Sequence, residues 1–122
     1  MNSPSNISVW NESKQVPVCS HAKLADTART RLFGLLGKRS LQEDSGLLIK
    51  PSSGVHTWGM AMDIDIVALD RDNVVIGAYE QVGPWKVRGV ALRTKSVLEL
   101  PSGRIARCGI SIGDRLKIQP LA

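Results

Sequence analysis

The sequence predicts a mainly β (α+β) fold: a compact antiparallel β-barrel or sandwich with one main helix and one short helix packed on it. Three observations lead there. Short runs rich in Val, Ile and Leu recur along the chain, each closed by Gly, Pro, Asp or Asn. That is the punctuation of strands and turns, not of alternating βα units. Aromatic residues make up only 4% of the chain against 43% apolar residues, so the core must rest on branched aliphatics, which suit a pleated surface. Helical spacing is confined to two segments. The 122 residues fit a single domain, 1–122, long enough to bury a core without disulfide or metal.

The elements follow in order. Residues 1–6 are polar and read as a frayed terminus. Ile7–Trp10 and Val16–Cys19 read as short strands on either side of the turn Asn11–Lys14. Thr27 is then placed to cap the main helix, in which Ala28, Leu32, Leu35 and Leu36 share a face and Gly37 closes the last turn. Asp26 at its start and Lys38 and Arg39 at its end match the helix dipole. Gly34 inside it costs about 1 kcal/mol relative to alanine, which points to a close neighbour there.

Leu47–Lys50 reads as a strand closed by Pro51-Ser52-Ser53-Gly54. Ile64–Leu69 is the central strand, with Ile64, Ile66 and Ala68 on one face and Asp63, Asp65, Val67 and Leu69 on the other. Asp70–Asn73 turns the chain into Val74–Val82, and the two runs form a hairpin that Gly83-Pro84 ends. Val97–Leu100 is a further strand. Ser102 is placed to cap a short helix through Cys108 that Gly109 stops, and Gly113-Asp114 leads into a last strand, Arg115–Ile118.

Composition narrows the function classes. No stretch reaches the roughly 18 apolar residues of a membrane-crossing helix. The polar Met1–Asn6 lacks the basic-then-apolar order of a signal peptide, so the expected location is cytoplasmic. Cys19 and Cys108 lie far apart, with no Cys-x-x-Cys pair, and read as two buried thiols. The net charge of +5 is uneven: residues 86–117 alone carry +6, while 63–72 holds four aspartates against Arg71. A basic surface attracts nucleic acid or anionic lipid. Nucleic acid is not favoured, because RNA-binding glycine-aromatic motifs and zinc-finger spacing are missing; a solvated basic face is the plainer account.

The richest segment is His56–Asp70. Asp65 shares a face with Val67 and Leu69, so its carboxylate is desolvated. It serves either as an acid/base or ligand-orienting group or as a structural carboxylate bonded to loop amides. His56, Met60 and Met62 have even spacing and would line one face of an extended strand, a donor set suited to Cu(I). Ile64 continues that face, which makes core packing of the methionines equally natural. Zinc has less support: His21 is the only other imidazole, and no paired spacing of Cys or His occurs. Glu99 points away from Leu98 and Leu100 and is either paired with Arg93 or Arg104 or joined with Asp65 in a glycosidase-like carboxylate pair. Trp85, after Pro84, can stack on a ligand or close the end of a barrel. Ser102 lies outside any nucleophile elbow, and no phosphate loop is present, so neither metal nor cofactor is called for.

These residues also carry a resemblance. Arg31-Leu32-Phe33-Gly34-Leu35-Leu36, Gly46-Leu47-Leu48-Ile49, His56-Thr57 with Gly59-Met60, Ile64-Asp65 and Leu69-Asp70 follow in order. Pro84-Trp85, Val97-Leu98-Glu99-Leu100-Pro101-Ser102-Gly103 and Gly109-Ile110 with Gly113-Asp114 complete the series. Together they resemble the bacterial and archaeal family called domain of unknown function 192, over about Leu24 to Ile118. In the family's Arg-x-x-Gly-Leu-Met helix, Leu36 stands here in place of Met. The spacing from Met60 to Asp65 is shorter than in another form of the central block, so a role tied to that form's Asn-Thr pair does not carry over. The resemblance implies a compact β fold with a packed helix and implies no activity. It also implies an association with pilus-assembly or envelope systems, since some relatives sit near pilus-assembly genes.

The expected function is a ligand-binding or accessory module for a small molecule or protein partner. Its pocket would lie near His56, Thr57, Met60, Asp65, Trp85 and Glu99. The rivals are a hydrolase-like enzyme using Asp65 and Glu99, and a copper protein using His56, Met60 and Met62.

Overall fold

The computed structural model describes residues 5–25, 44–56 and 62–121. It is mainly β, as the sequence predicts. The strands are β1 (Ser5–Asn11), β2 (Val16–Ala25), β3 (Ser45–Ile49), β4 (Val55–His56), β5 (Ile64–Leu69), β6 (Val75–Val82), β7 (Val87–Arg88), β8 (Ser96–Pro101) and β9 (Leu116–Pro120). A five-residue helix, α1 (Arg104–Cys108), lies between β8 and β9. The main helix expected over Thr27–Gly37 lies outside the described residues.

Seven strands form one sheet in the order β6-β5-β8-β3-β2-β1-β9, and β4 and β7 pair separately. The pairings are antiparallel except one: β2 and β3 run parallel, with His21 opposite Ser45 and Ala25 opposite Ile49. The expectation of an all-antiparallel sheet is corrected there. A parallel neighbour needs a long crossover, and the 19 residues between Ala25 and Ser45 provide one. The sequence analysis also ended β2 six residues early, because polar Ser20, His21 and Lys23 interrupt its apolar run on the exposed side.

The sheet curls until its two edge strands touch at their starts. Val74 bridges Arg115, the Val75 amide donates to the Asp114 carbonyl, and the Leu116 amide donates to the Asn73 carbonyl. The result is a half-barrel with two apolar faces. The inner face holds Val9, Val18, Ala22, Leu48, Val67, Leu69, Val75, Leu98, Leu100 and Leu116, with Ile105 of α1 against them. The outer face holds Ala25, Leu47, Ile49, Ile64, Ile66, Val82 and Val97, against which Val55, Met62 and Tyr79 pack. β5, expected to be the central strand, is second from one edge of the sheet, but it is buried along its whole length, which explains its apolar residues on both sides.

Two polar clasps fix the seams. Asp70 is the hinge of the β5–β6 turn: its carboxylate accepts from the amides of Asp72 and Val74 at 2.8 and 3.0 Å. Desolvation pushes the Asp70 carboxyl upward, but those amides and the Arg93 and Arg115 charges outweigh it and hold the group low. Asp114 ties the β1–β2 turn to the approach of β9. Its Oδ2 accepts from the Asn11 side chain and the Ser111 amide, both at 2.9 Å, and pairs with Lys14. Asp114→Ala strips an acceptor from a buried amide and is expected to cost about 2 kcal/mol in urea unfolding. Lys14→Ala, which removes a half-exposed ion, is expected to cost less than about 1 kcal/mol. Equal losses in the two variants would contradict this assignment.

Candidate functional site

Strand alternation decides where each candidate side chain goes. Across the β5–β8 pairing, Ile66 stands opposite Glu99 and Asp65 opposite Leu100. Residues directly opposite share a face, and consecutive residues do not. Asp65 therefore points to the inner face and Glu99 to the outer face. The structure does not bring them together as a carboxylate pair, because a buried sheet stands between them.

Asp65 is fully buried, and both of its oxygens are engaged. Oδ1 accepts from the amide of Gln81 and Oδ2 from the amide of Ile105, each at 2.8 Å. Both donors are ones that regular structure leaves over. Gln81 lies at the irregularity where the register passes from Ile64–Val82 to Ile66–Tyr79, and its φ is 51°. Ile105 is the second residue of α1, whose first amides have no partner within the helix. Its N-cap is Gly103, with φ 92° and no side-chain cap. The expected cap, Ser102, is exposed and one residue too early. Asp65 supplies the missing cap from a different element, and its charge also suits the positive end of the helix.

The rest of α1 is held against β2. Arg104 donates from Nε to the Val18 carbonyl at 2.7 Å and lies 3.7 Å from Asp44, whose carboxylate accepts from the Ser20 amide. Cys108 Sγ lies 3.8 Å from the same Val18 carbonyl. Both cysteines are free thiols; Cys19 is buried and Cys108 half-buried. Burial, with Asp44 adding to it, pushes the Cys19 thiol up to about 12.

Glu99 is the opposite case. It is 3% exposed, and its neighbours across the sheet are Ile66 on one side and Leu47 on the other. Among the described residues no donor reaches its carboxyl group. Arg93 lies 3.6 Å from Asp70, and Arg104 serves Val18 and Asp44, so neither forms the ion pair considered for Glu99. Desolvation alone pushes the Glu99 carboxyl from 4.5 to about 7.

The row through Glu99 runs Tyr79–Ile66–Glu99–Leu47–Lys23 across five strands. Tyr79 and Lys23 are two strands away on either side, roughly 10 Å at the backbone. Tyr79 folds along its own strand over Gly77, where a β-carbon would stand 2.7 Å from the phenol oxygen. The sequence analysis singled out neither residue. The β6 irregularity hides the face of Tyr79, and Lys23 lies in the unforeseen half of β2.

Of the other candidates, Met62 is half-buried against the outer-face cluster, in line with a packing role. Thr57 and Met60 lie outside the described residues. His56 stands opposite Val87 in the small β4–β7 sheet, whereas β5 belongs to the large one. His56 and the β5 residues therefore belong to different sheets, and Met60, between them, lies outside the described residues. Trp85 is 69% exposed, with φ 67°, just ahead of β7. Among the described residues no group of three His, Cys, Asp or Glu has metal-holding geometry.

A barrel-like sheet with a capped plug helix and a buried acid on its outer face defines a small β-domain class. The family described as Uncharacterized ACR, domain of unknown function 192, matches residues 9–118, and the chain belongs to that family. A protein of unknown function from Novosphingobium aromaticivorans is similar in structure, with a TM-score of 0.74 and 22% identity over 92% of this chain and 83% of that one. A candidate transcription regulator from Sinorhizobium meliloti has a TM-score of 0.77 and 22% identity over 95% and 94% of the two chains. At that identity both show the fold. No curated protein matches the sequence.

Two predictions follow from the unlike carboxylates. Asp65→Ala leaves two amide donors without acceptors and is expected to cost about 3 kcal/mol, with earlier hydrogen exchange at Ile105 and Gln81. Unchanged exchange at both amides would contradict the capping role. Glu99 binds its proton more tightly folded than unfolded, so its contribution falls as pH rises from about 4.5 through about 7. The full change is on the order of 3 kcal/mol. Glu99→Gln should remove that part of the slope and raise stability at pH 8; identical slopes in the two proteins would refute it.

Proposed function

We propose that the domain is a binding module for a small molecule, with Glu99 as its polar anchor and the apolar outer face as its wall. The observation that carries this reading is a buried carboxyl group with no donor among the described residues, on a face built mainly from apolar side chains. Folded proteins pair nearly all their buried polar groups, and the other buried carboxylates here, Asp65 and Asp114, are paired. Among the described residues no fully enclosed side-chain nitrogen or oxygen lacks a partner. Glu99 itself keeps 3% exposure.

A ligand that offers one hydrogen-bond donor on an apolar body complements this arrangement. An ammonium or amide group would meet Glu99, while the hydrocarbon part packs beside Ile66, Leu47 and Met62. Tyr79 and Lys23, at the two ends of the row, flank the position and set the length of ligand it accepts. Asp65 has a structural role in this reading, since both its oxygens are already engaged. The enzyme alternative loses its second carboxylate for that reason.

The test is a screen of primary alkylamines and primary amides by methyl chemical-shift mapping. Binding is expected to move the methyl groups of Leu47, Ile66 and Met62. Glu99→Leu, which fills the same space without the carboxyl group, is expected to weaken it at least tenfold. Shifts that cluster elsewhere, or equal affinity in the variant, would overturn the proposal.

A further inference from the structure

A second surface has a different chemistry. Residues 85–95, Trp-Lys-Val-Arg-Gly-Val-Ala-Leu-Arg-Thr-Lys, hold four basic residues and no acidic one. Four of their apolar side chains stand in solvent: Trp85 at 69%, Val87 at 49%, Val90 at 69% and Leu92 at 96% exposure. Among the described residues, most of the exposed large apolar side chains are gathered in positions 85–92; Trp10, Ile112 and Leu121 lie elsewhere.

The backbone beneath them is firmly held. Thr94, itself buried, donates from its hydroxyl to the Gly89 carbonyl at 2.7 Å, and its amide donates to the Ala91 carbonyl. The Lys95 amide donates to the Leu69 carbonyl, and the Lys95 carbonyl accepts from the Ser52 amide. Gly89 lies against Ala68 on the outer face, where an added β-carbon would come within 3.3 Å. A loop tied down at both ends thus turns Val90 and Leu92 outward.

We propose that this loop docks the protein on an anionic membrane surface. Protruding aliphatic side chains and a tryptophan enter the interfacial layer of a bilayer, while lysine and arginine meet its phosphates and carboxylates. Arg93 also faces Asp70, yet its side chain is 74% exposed and stays within reach of a headgroup. The charge favours lipid over a neutral apolar partner. The isolated, projecting side chains favour a soft medium over a flat protein surface. Nucleic acid would use the same cations but gives Val90 and Leu92 nothing to enter.

The test uses the whole chain and vesicles of phosphatidylcholine with or without 30% phosphatidylserine. Co-sedimentation is expected only with the anionic vesicles and is expected to fall at least tenfold between 50 and 500 mM NaCl. Tryptophan emission should shift to the blue on binding, and Trp85→Phe should abolish the shift while Trp10 and Trp58 remain. Leu92→Asp and the milder Leu92→Gln should each weaken binding at least fivefold; at so exposed a position, circular dichroism should stay unchanged. Three results would overturn the proposal: no sedimentation at 50 mM NaCl, binding by both Leu92 variants as strong as that of the unaltered protein, or displacement by duplex DNA with Leu92 irrelevant. Because this loop is distinct from the Glu99 row, failure here leaves the amine screen standing, and the reverse holds too.

Discussion

The fold depends on one carboxylate. Asp65 takes an amide from the irregularity in β6 and an amide from the first turn of α1, joining two features that regular pairing leaves unsatisfied. Neither is stable alone. A five-residue helix is far too short to persist without tertiary support, and an amide turned out of its ladder into the interior needs an acceptor. A single buried carboxyl group answers both, and in doing so it sets α1 in the inner face of the curled sheet. Ile105 then completes the inner core. The acidic group is tolerated inside because each of its oxygens accepts a hydrogen bond from a backbone amide.

The same strand geometry that fixes Asp65 isolates Glu99. One residue of offset between β5 and β8 sends the two carboxylates to opposite sides, one into a saturated network and one into an apolar wall. Their hydrogen bonding differs accordingly, although both are buried acids on adjacent interior strands. Burial therefore does not by itself decide whether a carboxylate is hydrogen-bonded. The supply of donors does, and the outer face offers Glu99 none among the described residues.

Much of this was legible from residue order. The alternation of Ile64 to Leu69 assigns Asp65 and Val67 to one face and Ile66 to the other, as observed. The Asp70–Asn73 turn and the Gly109 stop also follow from local chemistry, since each depends on residues within four positions. The errors lie where a distant partner decides. Ser102 looks like a cap until Asp65, some forty residues away, takes that role. Beyond Cys19, β2 looks too polar for a strand until β3 pairs with it in parallel. Arg93 and Arg104 look like partners for Glu99, but Asp70, Val18 and Asp44 engage them.

The split follows from the range of the forces. By itself the sequence determined the β class, the faces of the central strand, the main turns and the family, because periodicity, turn chemistry and motif order are local. Only the tertiary structure decided the parallel β2–β3 pair, the cap on α1, the separation of Asp65 from Glu99 and the exposed apolar tips of residues 85–95. Those outcomes depend on strand order and on which backbone donors remain unpaired after the sheet has curled, and no window of neighbouring residues contains that information.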